Sequence, residues 1–98
     1  MSKRIGDTDR IARAGDLLTT DVDGEIVAMS VASGAIYGFD EVTTHIWHLL
    51  ETPRALEDLC AELVRTYDVG DAECREAVTE VLEILHADGL VEISPAPR

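Results

Sequence analysis

The chain is poor in aromatic side chains and in cysteine, and each shortage excludes a class of structure. Its 98 residues include one Trp, two Tyr and one Phe, so aliphatic side chains must build most of the interior. Two cysteines, Cys60 and Cys74, are too few for a disulfide framework. Both fall at apolar positions of predicted helices, where a free thiol packs as a small hydrophobic group. We therefore expect buried, reduced cysteines.

Long apolar runs are also missing. No stretch approaches the ~20 apolar residues that span a membrane, and none follows Lys3 and Arg4, as a signal peptide requires. These two absences predict a cytoplasmic protein.

Positive charge is scarce as well. Acidic residues number 20 and basic residues 8, which gives a net charge of −12. Such a surface repels phosphate backbones and anionic lipid, and it attracts basic or neutral partners. The length predicts one domain with a modest core, and a hydrophobic content of 46% excludes a disordered chain.

No grouping of residues predicts catalysis, a metal or a cofactor. His45 and His48 are one helical turn apart, but they lie opposite the apolar stripe of their helix and lack a nearby third ligand. An enzyme that uses a cysteine needs a polar, activated thiol, whereas Cys60 and Cys74 are predicted to be buried. We therefore expect a non-catalytic protein without a cofactor or a metal.

The sequence predicts an arm, a domain and a tail. Residues 1–14 are polar and lack periodicity, so we interpret them as a flexible arm; residues 15–93 form the domain and 94–98 a disordered tail. Asp23-Gly24 predicts a hairpin turn, because glycine tolerates the positive φ that such turns require. The predicted extended segments are 17–20, 25–31, 35–39 and 90–93.

Three helices are predicted after the third strand. Asp40 can cap the first, since its carboxylate can accept the free amide hydrogens of the first turn. Thr52-Pro53 ends that helix and opens the second, because proline suits a first helical position. The third runs from about residue 71 to 87, and Gly89 is its expected C-cap. The apolar stripe of the first helix consists of Val42, Ile46, Leu49 and Leu50.

The third helix has a wider apolar arc than core packing needs. Its core-facing stripe is Val78, Val81, Leu82 and Leu85. Ala77 and Ile84 widen the arc to ~160°, against the ~100° of an ordinary amphipathic helix. Glu73 and Glu80 stand beside the widened flank. This pattern predicts one wall of a peptide groove with an acidic lip; the alternative is that both flanks pack against other elements of the domain.

The order of these elements, with Tyr37, Phe39 and Asp40 leading into a helix that contains Ile46-Trp47, resembles the PqqD-like family. Members of this family are recognition elements for ribosomally made, modified peptides. The resemblance covers residues 16–93. Its matching residues are Gly34, Tyr37, Phe39, Asp40, Ile46-Trp47, Leu49-Leu50, Leu63, Tyr67-Asp68-Val69, Leu82, Leu85 and Gly89-Leu90-Val91.

Two positions depart from the family pattern. The family usually has Asn where Asp40 stands, and often Ser or Thr near Ala55 to start the second helix. Asp40 can still act as a cap, and Thr52 can replace the second function.

The resemblance implies an α+β, winged helix-turn-helix fold, with a three-stranded antiparallel sheet followed by three helices. It also implies that a precursor leader peptide adds as a strand to the third strand and lies against the third helix. Carried over, the strand residues are Ile36, Tyr37, Gly38, Phe39 and Asp40. The wall residues are Ala77, Val81 and Ile84, with Glu73 and Glu80 beside them.

The implied partners are the leader peptide and a separate maturation enzyme, with neither nucleic acid nor membrane. Length and acidic character resemble the small partner of split lasso-peptide leader peptidases. The alternative is a member that serves a radical SAM enzyme.

Two other classes fit the sequence poorly. A winged helix usually binds DNA, but the helix that would enter the groove carries mostly acidic side chains, the opposite of what phosphate contacts need. These are Glu73, Glu76, Glu80 and Glu83, against Arg75. An acyl carrier protein needs a serine at a helix start, and none of Ser2, Ser30, Ser33 and Ser94 stands there.

Overall fold

The computed structural model describes residues 5–95, which form two three-stranded antiparallel sheets and three helices. The elements are β1 (Arg10–Arg13), β2 (Leu17–Val22), β3 (Glu25–Ser30), β4 (Ile36–Gly38), α1 (Glu41–Leu49), β5 (Arg54–Ala55), α2 (Leu56–Thr66), α3 (Asp71–Ala87) and β6 (Val91–Ser94). The predicted α+β class, with an antiparallel sheet followed by three helices, is confirmed. Residues 1–4 and 96–98, in the predicted arm and tail, lie outside the described residues. Within residues 5–95, no helix is both long enough and apolar enough to cross a membrane.

The hairpin of β2 and β3 is closed by the predicted turn. Asp23 and Gly24 have φ angles of 55° and 89°, and Oδ1 of Asp21 accepts a hydrogen bond from the N–H of Gly24 at 2.8 Å. β3 lies between β2 and β4 and is antiparallel to both. Alternation along β3 places Ile26 and Ala28 in the core. β4 is therefore an outer strand of this sheet.

The prediction that residues 1–14 form a flexible arm is wrong for Arg10–Arg13, which forms strand β1 of the second sheet. This strand lies between β5 and β6, antiparallel to both, and Ile11 is fully buried. Four residues are too few for a recognisable alternation, and both partner strands lie far along the chain. Ser94, which the sequence assigned to the tail, ends β6 in the same sheet.

Side-chain hydrogen bonds stabilise both ends of α1. At its start, Oδ1 of Asp40 accepts a hydrogen bond from the N–H of Thr43 at 2.8 Å, so the predicted cap is confirmed. At its end, the guanidinium of Arg13 donates to the carbonyl of Trp47 and lies 4.9 Å from the centre of the Trp47 ring. The ring of Phe39 packs 5.3 Å from the same indole. The junction between β4 and α1 is thereby held against the core.

The second helix begins later than Thr52-Pro53 predicts. α2 starts at Leu56, and its N-cap residue, Ala55, makes no side-chain hydrogen bond to the helix. Backbone carbonyls in the segment 7–9 accept hydrogen bonds from the first free N–H groups of α2 instead. The expectation that Thr52 replaces a missing cap is therefore wrong, because a distant segment supplies the acceptors.

The helix α3 ends where the sequence predicts, but its C-cap is Asp88 and not Gly89. Asp88 is the C-cap, and Gly89 follows in the left-handed region with a φ of 77°. The N–H of Leu90 donates to the carbonyl of Leu85 at 2.9 Å, and that of Gly89 to the carbonyl of His86 at 3.0 Å. These two bonds form a Schellman motif, which turns the chain back and brings Leu90 against the helix.

The core lies between the helices and the inner faces of the sheets. Its largest fully buried side chains are Ile11, Ile46, Leu50, Leu56, Leu59, Leu63, Leu82 and Leu90. Cys60 and Cys74 are buried and free, as predicted. Val42 departs from its predicted stripe, since it is 39% exposed. The first turn of α1 reaches beyond the shared core, so Val42 borders a pocket instead.

Candidate functional site

The outer edge of β4 presents backbone groups that no described strand pairs. The N–H of Ser30 donates to the carbonyl of Ala35, and the N–H of Phe39 donates to the carbonyl of Ile26. In an antiparallel ladder the bonding direction alternates from one residue to the next. Because 35, 37 and 39 bond toward β3, the N–H and C=O groups of Ile36 and Gly38 point to the free edge.

A groove of about 240 Å³ lies between this strand and α3. We call it the β4–α3 groove; its lining consists of Tyr37, Gly38, Phe39, Asp40, Thr43, Val81, Ile84, Leu85, Asp88 and Leu90. Phe39, Leu85 and Leu90 are buried and form an apolar floor, whereas Ile84 is 58% exposed. The groove thus combines an apolar wall with a strand edge that no described strand pairs.

Two carboxylates border the β4–α3 groove, Asp40 and Asp88. The backbone N–H of Thr43 holds the pKa of Asp40 below its usual range, and a side-chain hydrogen bond from Thr43 acts in the same direction. Asp40 is therefore an anion at neutral pH. The groove therefore has carboxylates at its rim and apolar surface inside.

A second apolar pocket of about 260 Å³ lies where α1, α2 and α3 meet. We call it the α1–α3 pocket; its lining consists of Val42, Leu63, Tyr67, Val69, Glu73, Cys74, Ala77 and Val78. The hydroxyl of Tyr67 lies 3.4 Å from Nδ1 of His45, and the two rings pack at 5.7 Å. Burial, followed by the charges of Glu41 and Asp40, raises the pKa of Tyr67. The phenol is therefore neutral and can donate a hydrogen bond.

The structure distributes the predicted site residues between these two hollows. Tyr37, Gly38, Phe39, Asp40, Val81 and Ile84 line the β4–α3 groove, and Glu73 and Ala77 line the α1–α3 pocket. Ile36 lines neither hollow, but its backbone lies on the free edge. Glu80 is exposed and also lines neither. The predicted wall along α3 is therefore divided between two cavities.

Sequence reasoning missed several lining residues. They are Thr43, Leu85, Asp88 and Leu90 in the groove, and Val42, Leu63, Tyr67, Val69, Cys74 and Val78 in the pocket. A signal existed for Leu90, because a Schellman motif commonly packs the residue after its glycine against the helix. Nothing local indicated Val69, which follows α2 in a loop.

Neither cysteine thiol is activated as a nucleophile. Burial, followed by the neighbouring Cys74 thiol, raises the pKa of Cys60 to about 11, and burial also raises the pKa of Cys74. Both thiols are therefore protonated at neutral pH and are weak nucleophiles. Across residues 5–95, no group of three or more His, Cys, Asp or Glu side chains is placed to hold a metal ion.

This arrangement is a winged-helix-like α+β domain. The profile of the PqqD family, described as Coenzyme PQQ synthesis protein D, matches residues 25–91. The chain therefore belongs to the PqqD family, and the resemblance seen in its sequence is confirmed. The matched region runs from β3 to the start of β6, so it includes both hollows.

A solved structure has the same fold. It is that of TbiB1 in complex with the TbiA(beta) leader peptide, with a TM-score of 0.78 and 23% sequence identity. The alignment covers 83% of this chain and 94% of the TbiB1 chain. Among curated proteins, no match is found.

Proposed function

We propose that this protein is a non-catalytic module that binds the leader of a ribosomal precursor peptide and presents it to a separate maturation enzyme. The observation that carries the proposal is the outer edge of β4, which no strand within residues 5–95 pairs and which lies beside an apolar groove. Membership of the PqqD family and the fold shared with leader-bound TbiB1 support it.

The backbone of β4 supplies the first part of the binding. Ile36 and Gly38 each offer one N–H and one C=O to an added strand, and hydrogen bonds to these groups do not depend on the sequence of the peptide. An antiparallel peptide fits best, because every strand of this sheet is antiparallel to its neighbour.

The groove supplies the selectivity. A strand paired with β4 has alternate side chains on opposite faces, and those on the groove side meet Val81, Ile84 and the floor beneath them. These surfaces favour apolar leader side chains such as Leu, Pro or Tyr. Asp40 and Asp88 at the rim favour a leader that carries Lys or Arg nearby, consistent with the net charge of −12.

The enzyme that we propose as its partner is a lasso-peptide leader peptidase, a separate cysteine protease that cuts the leader held by this module. The similarity to TbiB1 supports this choice. A radical SAM enzyme is the alternative, supported by the description of the family in cofactor synthesis. Reconstitution with a candidate enzyme of each class distinguishes them: if the partner is a leader peptidase, leader cleavage by that enzyme should depend on this protein.

Strand addition is tested with a synthetic leader from a candidate precursor peptide. We expect the amides of residues 35–40 to gain protection from hydrogen exchange when the leader is added. Gly38→Pro removes the N–H of residue 38 from the free edge of β4. Binding should weaken at least tenfold, because a backbone carbonyl of the peptide then has no donor for its hydrogen bond. Gly38→Ala is the matched control: it keeps the N–H, and its Cβ meets no atom within 4 Å. Unchanged exchange at 35–40 in the presence of bound leader would exclude this mode of binding.

A further inference from the structure

The outer face of the sheet formed by β2, β3 and β4 carries a row of apolar side chains. Ile26 and Ala28 of β3 are buried, so the alternate residues of this strand point away from the core. One of them, Met29, is paired with Leu18 of β2 on one side and with Ile36 of β4 on the other. Side chains directly opposite one another in an antiparallel pair lie on the same face. Leu18, Met29 and Ile36 therefore form a continuous row across the three strands, which we call the outer row.

The outer row is open to solvent at its β4 end. Ile36 is 69% exposed, the largest fraction among the exposed large hydrophobic side chains of residues 5–95, and Leu18 is 58% exposed. Met29 is half-buried between them. Single exposed apolar residues are common on protein surfaces, but these three stand in direct register. The row also ends at the strand edge where we propose that the peptide adds, so an added strand would continue it by one residue.

The hydrogen bonds of β4 give the register of that strand. The N–H and C=O groups of Ile36 point to the free edge, so the peptide residue opposite Ile36 forms a hydrogen-bonded pair with it, with Cα atoms about 5.5 Å apart. Its side chain lies on the outer face, whereas the peptide residue opposite Tyr37 faces the β4–α3 groove. In an antiparallel peptide, the residue opposite Ile36 directly follows the residue opposite Tyr37.

We propose that Ile36 is a specificity-determining residue, which selects leaders with a β-branched or aromatic side chain at the position opposite it on the outer face. The inference rests on the proposed function, because it needs a peptide paired with β4. Pairs of β-branched and aromatic side chains across neighbouring strands stabilise antiparallel sheets, and here both partners would leave water. The groove and the outer row would then contact adjacent residues of the leader from opposite faces of the sheet.

The selection is confined to one outward position of the leader. β4 places two residues on its outer face, Ile36 and Gly38. Gly38 has no side chain, and a Cβ built on it meets no atom within 4 Å. The leader residue opposite Gly38 therefore gains no cross-strand side-chain contact from β4, and many side chains fit there.

A charge exchange with the labelled synthetic leader tests this contact. Ile36→Lys places an ammonium group beside the selected position. Leu18→Lys makes the same change in net charge on the same face, but two strand spacings, about 10 Å, farther from the peptide. Each protein is titrated by fluorescence anisotropy with the original leader and with a set of leaders in which single residues are replaced by glutamate. Circular dichroism checks that both variants, whose changed side chains are mostly in water, remain folded.

Ile36→Lys should bind the original leader a few-fold more weakly, whereas Leu18→Lys should bind it like the original protein. At one position alone, the glutamate-substituted leader should bind Ile36→Lys about 2- to 5-fold more tightly than it binds Leu18→Lys, because oppositely charged cross-strand pairs are favourable. Unchanged affinity of Ile36→Lys for the original leader would overturn the selection by Ile36. A set of glutamate leaders that never distinguishes the two lysine variants would also overturn it, while protection of the amides of residues 35–40 would still support strand addition. A leader that does not bind the original protein would overturn the proposed function, and this inference with it.

Discussion

Substitutions at Ile84 should weaken leader binding while leaving the fold largely intact. Its side chain is 58% exposed at the wall of the β4–α3 groove, so a bound peptide can cover surface that the folded protein leaves in water. Full burial of an isoleucine is worth ~1.5–3 kcal/mol, and the exposed share corresponds to about 1–1.7 kcal/mol. Loss of that contact in Ile84→Ala should weaken leader binding about 5- to 20-fold.

Ile84→Asp should have a larger effect. It loses the same apolar contact and adds a carboxylate that the peptide must desolvate, so we expect a loss of at least about 20-fold. The free energy of unfolding should fall by about 1 kcal/mol or less, because the changed side chain is mostly in water. Isothermal titration with the leader and urea denaturation measure the two quantities.

Leu18→Asp is the matched control. Leu18 is also 58% exposed, and it lies on β2, away from both hollows. The same substitution at the same exposure should leave leader affinity unchanged. Equal losses in the two variants would contradict a contact at Ile84, and unfolding of Ile84→Asp by circular dichroism would show that this flank belongs to the core.

Two further predictions concern charge. Glu80→Lys should weaken binding of a basic leader a few-fold and flatten its dependence on NaCl, because rim charges act at long range and weakly. Glu57→Lys is the control, since Glu57 is exposed on α2 and lines neither hollow. Titrations in rising salt that show no difference between the two variants would leave the acidic surface without a role in binding. Asp40→Ala should lower the free energy of unfolding by ~1 kcal/mol by removing the helix cap, whereas Asp40→Asn should largely keep it. Since the pKa of Asp40 is lowered in the folded state, its charged form stabilises the protein above the unfolded pKa of about 3.9, and this contribution is lost as the pH falls through the folded pKa. Urea denaturation of the original protein and of Asp40→Ala between pH 7 and pH 3 measures this contribution. If the difference between their free energies of unfolding stayed constant over this range, the predicted pH dependence would be wrong.

Much of the candidate site was predictable because its signals are local. The cap at Asp40 and the over-wide apolar arc that includes Ile84 were local signals, whereas the resemblance to the PqqD-like family implied that the strand containing Gly38 lies near them. Each signal depends on residues at most four positions apart, where backbone geometry alone relates the side chains. Glu80 shows the limit of this reasoning, since it follows the helical period of the wall but lines neither hollow.

The missed lining residues share one property: their neighbours come from elsewhere in the chain. Val42 belongs to the apolar stripe of α1 by its spacing, yet it borders a pocket completed by Val69 and Ala77. Periodicity states which face of a helix is apolar, but it does not state whether that face is covered. Coverage depends on how α1, α2 and α3 cross.

The sequence by itself determined the hairpin turn at Asp23-Gly24, the cap at Asp40, the end of α3 at about Gly89 and the apolar faces of the helices. All of these arise from steric and hydrogen-bonding preferences within one turn or one strand. Only the tertiary structure decided that β1 joins the sheet of β6 and that carbonyls of the segment 7–9 close the start of α2. It also decided that the outer edge of β4, which no strand within residues 5–95 pairs, lies beside the β4–α3 groove. These features need groups that lie far apart in the chain to meet, and burial of the shared core, rather than any local preference, brings them together.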